Sequence, residues 1–221
     1  MKNFKLCVSL SESNFSRCYA YAKQAEMAEL RLDLIHFKED ELKIIFSLPI
    51  PVIATCRAGK FEDKERIKCL KQAIRYGAKY VDVEIDAPES LQKELLSFAG
   101  ENNCKTIISY HNFEETPPLS QIEEIIDSAE KLSPWKIKIA TFANSRQDMA
   151  TILSLYAKHR DLIAFCMGEQ GMISRLTSLF LGAEFAYVSP DKNHFTAPGQ
   201  PDIETMKKWI EIFKGTSNNV Q

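Results

Sequence analysis

The sequence contains no apolar run that approaches the ~18 residues needed for a membrane-spanning helix. Its first residues turn polar by Ser9, so they lack the apolar segment of a secretory signal peptide. The 28 basic and 30 acidic residues nearly balance, at a net charge of -2, and neither sign forms a block that would attract nucleic acid or a membrane surface. These absences predict a cytoplasmic protein whose partner is a small molecule, with no nucleic-acid or membrane partner.

The six cysteines include no Cys-x-x-Cys pair, and none of them clusters with a histidine. Thiolate metal sites need such clustering, so we expect no metal ion. Four of the thiols lie in apolar runs, which indicates reduced core residues in a reducing compartment. The sequence also lacks a G-x-G-x-x-G or Walker-type loop, so we expect no nucleotide cofactor.

What the sequence does contain is a series of eight short segments rich in apolar and β-branched residues, spaced by roughly 22 to 30 residues. The segments are KLCVSLS from Lys5, AELRLDLI from Ala28, PVIATCR from Pro51, KYVDVEI from Lys79, KTIISYHN from Lys105, WKIKIATF from Trp135, LIAFCMG from Leu162 and EFAYVS from Glu184. This pattern predicts eight strands in a repeated supersecondary unit.

Helical patterns fill the gaps between these strands. One begins on the Ser/Asn cap candidates that follow Ser11, and two others end on Gly77 and Gly100. Strict β/α alternation implies parallel strands joined by helical crossovers, and eight units in this length close most economically as a (β/α)₈ TIM barrel. No shift in composition marks a second domain, so residues 1–221 are predicted to form a single catalytic barrel domain.

Polar residues occur near the ends of nearly every predicted strand, where a barrel of this kind carries its reactive groups. The candidates are Glu29, Arg31 and Asp33 on one face of strand two, then Arg57, Asp82, Glu84, His111, Lys138 and Met167 on the following strands. Interior charges must be paired, so the alternative to a binding site is a self-neutralising structural cluster.

The stretch SPWKIKIATFANS, residues 133 to 145, places two lysines inside a strand that is otherwise apolar. Lys138 is predicted to face the barrel interior, where burial favours a free and nucleophilic amine that forms a Schiff base with a carbonyl substrate. Lys136 is predicted to lie deeper and to neutralise Glu29 or Glu84. The alternative for Lys138 is a purely structural pairing with barrel carboxylates.

His111 is the candidate base because it lies at the end of the strand next to Lys138. A single histidine is more often structural than catalytic, so its position carries the prediction. We expect Ser109 and Asn112 to orient its ring.

The strings ELRLD, TCR, VDVEI, SYHNF, KIA, MGEQGMISR and APGQ follow one another on successive strands. Over nearly the full chain this set resembles the type I 3-dehydroquinate dehydratases, which are Schiff-base hydro-lyases of the shikimate pathway of aromatic amino-acid biosynthesis. The resemblance implies that Lys138 forms the imine, that His111 is the general acid and base, and that Arg175 binds the substrate carboxylate through a bidentate ion pair. The further substrate contacts that it implies are Ser9, Glu29, Arg31, Arg57, Met167, Thr196 and Gln200.

The implied reaction is the dehydration of 3-dehydroquinate to 3-dehydroshikimate, with a lysine of the protein in place of any cofactor. The sequence departs from the family after strand three, where a glutamate commonly assists the histidine. Here that position reads RAGKFEDKERI, and Glu62 or Glu65 would have to stand in. Many members also begin with a hairpin that plugs the barrel floor. This chain starts at strand one, so we expect its floor to be closed by side chains or by a partner.

Two alternatives to a dehydratase stay open at this point. A class I Schiff-base aldolase would also use an interior lysine, but it would be expected to carry a glycine-rich phosphate cradle after strands seven and eight. A non-catalytic quinate-sensing regulatory domain would keep the barrel and lose the lysine or the histidine. Both a monomer and a homodimer are compatible with the sequence.

Overall fold

The computed structural model describes residues 4–216, in which eight parallel strands alternate with eight α-helices. The strands are β1 (Lys5–Leu10), β2 (Met27–Arg31), β3 (Val52–Thr55), β4 (Tyr80–Glu84), β5 (Lys105–Asn112), β6 (Lys136–Phe142), β7 (Leu162–Met167) and β8 (Phe185–Val188). The helices are α1 (Phe15–Gln24), α2 (Glu39–Phe46), α3 (Asp63–Arg75), α4 (Glu89–Glu101), α5 (Leu119–Glu130), α6 (Arg146–Ser154), α7 (Met172–Leu181) and α8 (Ile203–Thr216). Each predicted strand is present, so the predicted alternation is confirmed.

The strands form one sheet in the order β7-β6-β5-β4-β3-β2-β1-β8, and every pairing in it is parallel. The sheet curls into a nearly closed barrel, which confirms the predicted TIM-barrel fold. Strands β7 and β8 stand at the two ends of this order. Across that seam the rings of Phe165 and Tyr187 lie 6.1 Å apart.

Alternation along each strand divides the side chains between two apolar regions. On β6, Ile137 and Ile139 point outward into the large core between the strands and the helices. On β8, Phe185 and Tyr187 point the other way and belong to a second cluster inside the barrel. Because alternate residues of each strand pack outward against the helices, the residues between them, such as Lys138, face the inside of the barrel.

Local signals set the helix ends, with one difference from expectation. Asn14 caps α1 by accepting a hydrogen bond from the Arg17 backbone N–H, and Gly77 follows α3 with a φ of 109°. Gly100 does not end α4, because the helix continues to Glu101. The left-handed residue there is Asn103, at a φ of 55°. Asparagine tolerates this conformation better than other non-glycine residues, so it serves the same purpose.

The amino ends of the strands are filled by aromatic rings. Tyr80 stacks on Trp135 with ring centroids 4.2 Å apart, and Trp135 lies 6.3 Å from Phe185. Side chains of the chain itself thus fill this barrel floor. At the same level Lys136 donates a 2.7 Å hydrogen bond to Asp161, so the prediction that it neutralises Glu29 or Glu84 is wrong. Asp161 was missed because it lies outside the strands, just before β7.

All six cysteines are free thiols, and five of them are buried, as predicted for reduced core residues. No helix within residues 4–216 is long and apolar enough to cross a membrane.

Candidate active site

One cavity opens at the carboxyl ends of the strands, and it brings together all ten of the predicted catalytic and substrate-binding residues. The apolar residues that sequence analysis had not assigned to it are Phe113, Ala140, Phe165, Tyr187 and Ala197. The position of this cavity agrees with the rule that TIM barrels place their sites at the carboxyl ends of strands.

Lys138 lies at the bottom of the cavity and is only 5% exposed. Its Nζ atom is 3.5 Å from Asp82 Oδ2 and 3.7 Å from Glu29 Oε1. Burial lowers the pKa of Lys138, and it does so despite the opposing effect of Glu29 and Asp82. The lysine is therefore more readily deprotonated than a surface lysine, which is the state that a nucleophilic amine requires.

The two carboxylates near Lys138 have other partners that hold them in place. Asp82 receives two 2.8 Å hydrogen bonds from the Arg57 guanidinium and a third from the Ser109 hydroxyl. Burial alone would raise the pKa of Asp82, but Arg57 and Lys138 outweigh it and lower that pKa. Thr55 donates a 2.9 Å hydrogen bond to Glu29. The carboxylates are thus anchored independently of the lysine.

Arg31 and Asp33 form a second anchored pair at the cavity wall, with hydrogen bonds of 3.0 and 2.7 Å. Strand β2 ends at Arg31, so Asp33 lies in the turn beyond it rather than on the inward face of the strand. The ion pair holds Arg31 in the wall of the cavity.

His111 is the group next to Lys138 that is suited to move a proton. Its Nδ1 atom is buried and has no hydrogen-bond partner among residues 4–216. Burial, reinforced by Arg57, Lys138 and Arg31, lowers the pKa of His111 well below its usual value. The imidazole is therefore neutral at pH 7 and able to accept a proton.

The residues that were expected to orient His111 do other things. The Ser109 hydroxyl bonds to Asp82 and Arg57, and the Asn112 side chain accepts hydrogen bonds from the backbone of Glu114 and Glu115. That prediction is wrong because both polar side chains have other partners, the Arg57–Asp82 pair for Ser109 and the backbone of the following turn for Asn112. The ring of Phe113 instead stacks near His111, with centroids 6.1 Å apart.

Neither candidate replacement for the family glutamate is directed toward the histidine. Glu62 and Glu65 form a capping box at the start of α3, in which each side chain accepts from the other's backbone N–H. Glu84 is held by an ion pair with Arg66. Within residues 4–216 no three His, Cys, Asp or Glu side chains converge in a way that would hold a metal ion.

Arg175 presents an unpaired guanidinium to the cavity. It is 1% exposed, and its Nε and Nη2 atoms have no hydrogen-bond partner among residues 4–216. Its guanidinium carbon lies 4.1 Å from the centre of the Phe165 ring. Burial lowers the pKa of Arg175 to about 9. A buried cation without a carboxylate is costly, so this geometry favours an anionic ligand.

The cavity mouth is covered by the loop that follows β8. The Gln200 side chain accepts two hydrogen bonds from Thr196 and donates one of 3.3 Å to Ser9. Gly168 donates a backbone hydrogen bond to Pro198, and a Cβ on Gly199 would lie only 2.2 Å from the Gly168 carbonyl oxygen. The two motif loops after β7 and β8 therefore meet backbone to backbone over the seam.

Tyr187 and Phe165 are two of the five cavity residues that the sequence analysis missed. Both lie on inward positions of their strands, and the alternation in EFAYVS alone would have placed Tyr187 inside the barrel. An aromatic residue on such a position is usually core, so the pattern alone did not distinguish packing from a role in the site.

Comparison with known proteins shows which family shares these features. Residues 6–217 match the family model of type I 3-dehydroquinase. A 3-dehydroquinate dehydratase of Methanococcus maripaludis strain C5 is 34% identical over 95% of this chain and 100% of its own length. One of Desulfotalea psychrophila is 34% identical over 94% and 97%. The crystal structure of the Aquifex aeolicus enzyme superposes with a TM-score of 0.80 at 31% identity, covering 95% of this chain and 99% of that one. This chain belongs to the type I 3-dehydroquinase family.

Proposed function

We propose that this protein is a 3-dehydroquinate dehydratase that converts 3-dehydroquinate to 3-dehydroshikimate through a Schiff base on Lys138, as a step of the shikimate pathway. The observation that carries the proposal is the convergence, in one cavity, of a buried amine, a neutral histidine and an unpaired arginine. These groups match a substrate that has a ketone, an acidifiable C–H bond and a carboxylate.

The chemistry follows from the states of these groups. The free amine of Lys138 attacks the C3 ketone. Loss of one water, with uptake of one proton that the final hydrolysis returns, leaves an iminium that acidifies the neighbouring C2–H bond. Neutral His111 accepts the C2 proton, and it returns this proton to the C1 hydroxyl, which leaves as a second water. Hydrolysis of the imine consumes one water and restores the lysine, so the net reaction releases one water.

Binding energy from the rest of the ring orients the substrate over the amine. Arg175 takes the carboxylate, while Glu29, Arg31 and Arg57 bind ring hydroxyls as anchored polar groups. Ser9, Thr196 and Gln200 add hydrogen bonds from the loop at the mouth, and Met167 packs against the ring.

The test is reductive trapping of the wild-type protein. Incubation with 3-dehydroquinate and borohydride should add the mass of the substrate, less one water and plus two hydrogens, to the peptide that contains Lys138, because only an imine is fixed in this way. Peptide mass spectrometry locates the adduct. An adduct on Lys136, or none at all, contradicts the proposal.

The alternatives find less support in the site. An aldolase of the kind considered above would need a phosphate site after strands seven and eight, and the loop after β7 leads to the buried Arg175 instead. A non-catalytic descendant would have lost Lys138 or His111, and both line the cavity.

We also propose that the protein works in a reducing cytoplasm on this small molecule, without a nucleic-acid or membrane partner and as one catalytic barrel domain. The support is the set of six free thiols and the near balance of basic and acidic residues in the sequence.

Arg175→Lys tests carboxylate binding while conserving charge. An ammonium cannot form the two parallel hydrogen bonds that a guanidinium forms with a carboxylate, so we expect KM to rise by about 10- to 100-fold and kcat to fall. Steady-state kinetics at saturating and limiting substrate separates the two effects. The conservative surface change Arg160→Lys is the matched control. If Arg175→Lys kept wild-type kinetics, the carboxylate would have to be bound by Arg31 or Arg57 instead.

A further inference from the structure

Tyr187 lies beside the proposed nucleophile in the cavity and has no assigned role. It is 2% exposed on β8, and Lys138 Nζ lies 4.1 Å from the centre of its ring. Its hydroxyl is buried without a hydrogen-bond partner among residues 4–216. Tyr187 thus contacts Lys138 through the face of its ring and not through its hydroxyl.

A positive charge on Lys138 Nζ shares the Tyr187 ring face with fewer other groups than it shares either carboxylate. Asp82 already receives hydrogen bonds from Arg57 and Ser109, and Glu29 receives one from Thr55. Both carboxylate distances to Lys138 Nζ, 3.5 and 3.7 Å, exceed those of a normal charge-assisted hydrogen bond. The face of an aromatic ring carries negative potential that attracts a cation placed above it, most strongly where water is excluded.

Burial raises the pKa of Tyr187 well above its usual value, and the Glu29 carboxylate raises it further. The phenol is therefore neutral at physiological pH. Its attraction for the neighbouring nitrogen is that of an aromatic face, and it does not form an ion pair or take up a proton.

We propose that Tyr187 is a catalytic residue whose ring face stabilises the positive charge of the Lys138 iminium. This inference rests on the proposed Schiff-base function. The nitrogen that lies over the ring is the same atom that becomes the imine nitrogen, so the contact persists through the covalent stage. A protonated imine loses its proton more readily than the parent ammonium. The contact therefore keeps the intermediate in the charged form that withdraws electrons.

To test this, the electron density of the ring at position 187 is lowered in steps while its shape stays nearly constant. Position 187 is filled by nonsense suppression with phenylalanines that carry zero, one, two or three ring fluorines, because each fluorine weakens the negative face with little change in size. The unfluorinated Tyr187→Phe protein is the reference. The readouts are kcat and the alkaline limb of its pH profile, since that limb reports loss of the iminium proton in the substrate complex.

We expect kcat to fall progressively by about 3- to 30-fold across the series, with the alkaline limb moving to lower pH by roughly half to one unit. The matched control is the same series at Phe185. This residue is fully buried two positions away on β8, and no cation lies over its ring among residues 4–216. Fluorination of Phe185 should leave the alkaline limb of the pH profile unchanged, even if it alters the midpoint of thermal unfolding.

Two outcomes overturn the inference, and they are distinct. If the wild type forms a trappable imine but kcat and the limb stay constant across the series at 187, the ring only packs and the proposed function stands. If the wild type forms no imine, the proposed function fails and this inference fails with it. Should Tyr187→Phe not fold, 3-fluoro- and 3,5-difluorotyrosine at 187 give the same series with the hydroxyl retained.

Discussion

Replacing Lys138 with alanine should abolish turnover, by roughly 10⁴-fold or more, because no other nitrogen in the cavity can form the imine on which the elimination depends. The fold should persist. Asp82 keeps its three hydrogen bonds from Arg57 and Ser109, and Glu29 keeps the one from Thr55, so loss of the amine does not strand either carboxylate. The measurements are kcat with 3-dehydroquinate, borohydride trapping, and circular dichroism through thermal unfolding.

Lys136→Ala is the matched control for this variant. It removes the same side chain from the same strand, two positions away, and Lys136 pairs with the exposed Asp161 at the floor. Turnover by Lys136→Ala should stay near the wild-type value. Activity retained by Lys138→Ala together with activity lost by Lys136→Ala would reverse the assignment of the nucleophile.

Replacing His111 with alanine should lower kcat by about 10²- to 10⁴-fold while leaving imine formation possible. Proton removal and condensation are separate steps, so the variant should accumulate a complex that borohydride traps on Lys138. Quenched-flow trapping compared with steady-state turnover measures both. His159→Ala is the control, since His159 lies near Glu130 just before β7, outside the cavity. Near wild-type turnover in His111→Ala would mean that another group is the base.

The lowered pKa of His111 also predicts how the activity of the enzyme depends on pH below neutrality. The pKa of His111 is lowered by burial and by Arg57, Lys138 and Arg31, so the free enzyme carries a neutral imidazole until the pH falls well below 6.5. Protonation of His111 therefore does not limit activity near neutral pH.

The fold was predictable because each level of the sequence agrees with the others. Apolar segments, cap residues and spacing all indicate β/α units, and the interior lysine follows from the alternation in KIKIA alone. The site required more. Arg175 lies on α7 and Thr196 and Gln200 lie on a loop, where periodicity does not define direction, and they were found through family motifs.

The failures share one physical cause. The partners of Lys136, Ser109 and Glu62 are each set by tertiary contacts or loop geometry that strand alternation does not encode. Asp161 reaches Lys136 from a loop, Ser109 turns to the Arg57–Asp82 pair across two strands, and Glu62 satisfies the backbone at a helix start. Tyr187 was overlooked for the opposite reason, because its pattern is also that of ordinary core.

The stacked rings of Tyr80, Trp135 and Phe185 fill the barrel at the amino ends of the strands, opposite the cavity that opens at the carboxyl ends. Because these rings fill the floor, substrate, product and the waters of the reaction are expected to pass through the mouth, beneath the loop that carries Thr196 and Gln200. A bound substrate ring blocks this mouth. Water exchange at the lysine is therefore tied to the arrival and departure of the ligand itself.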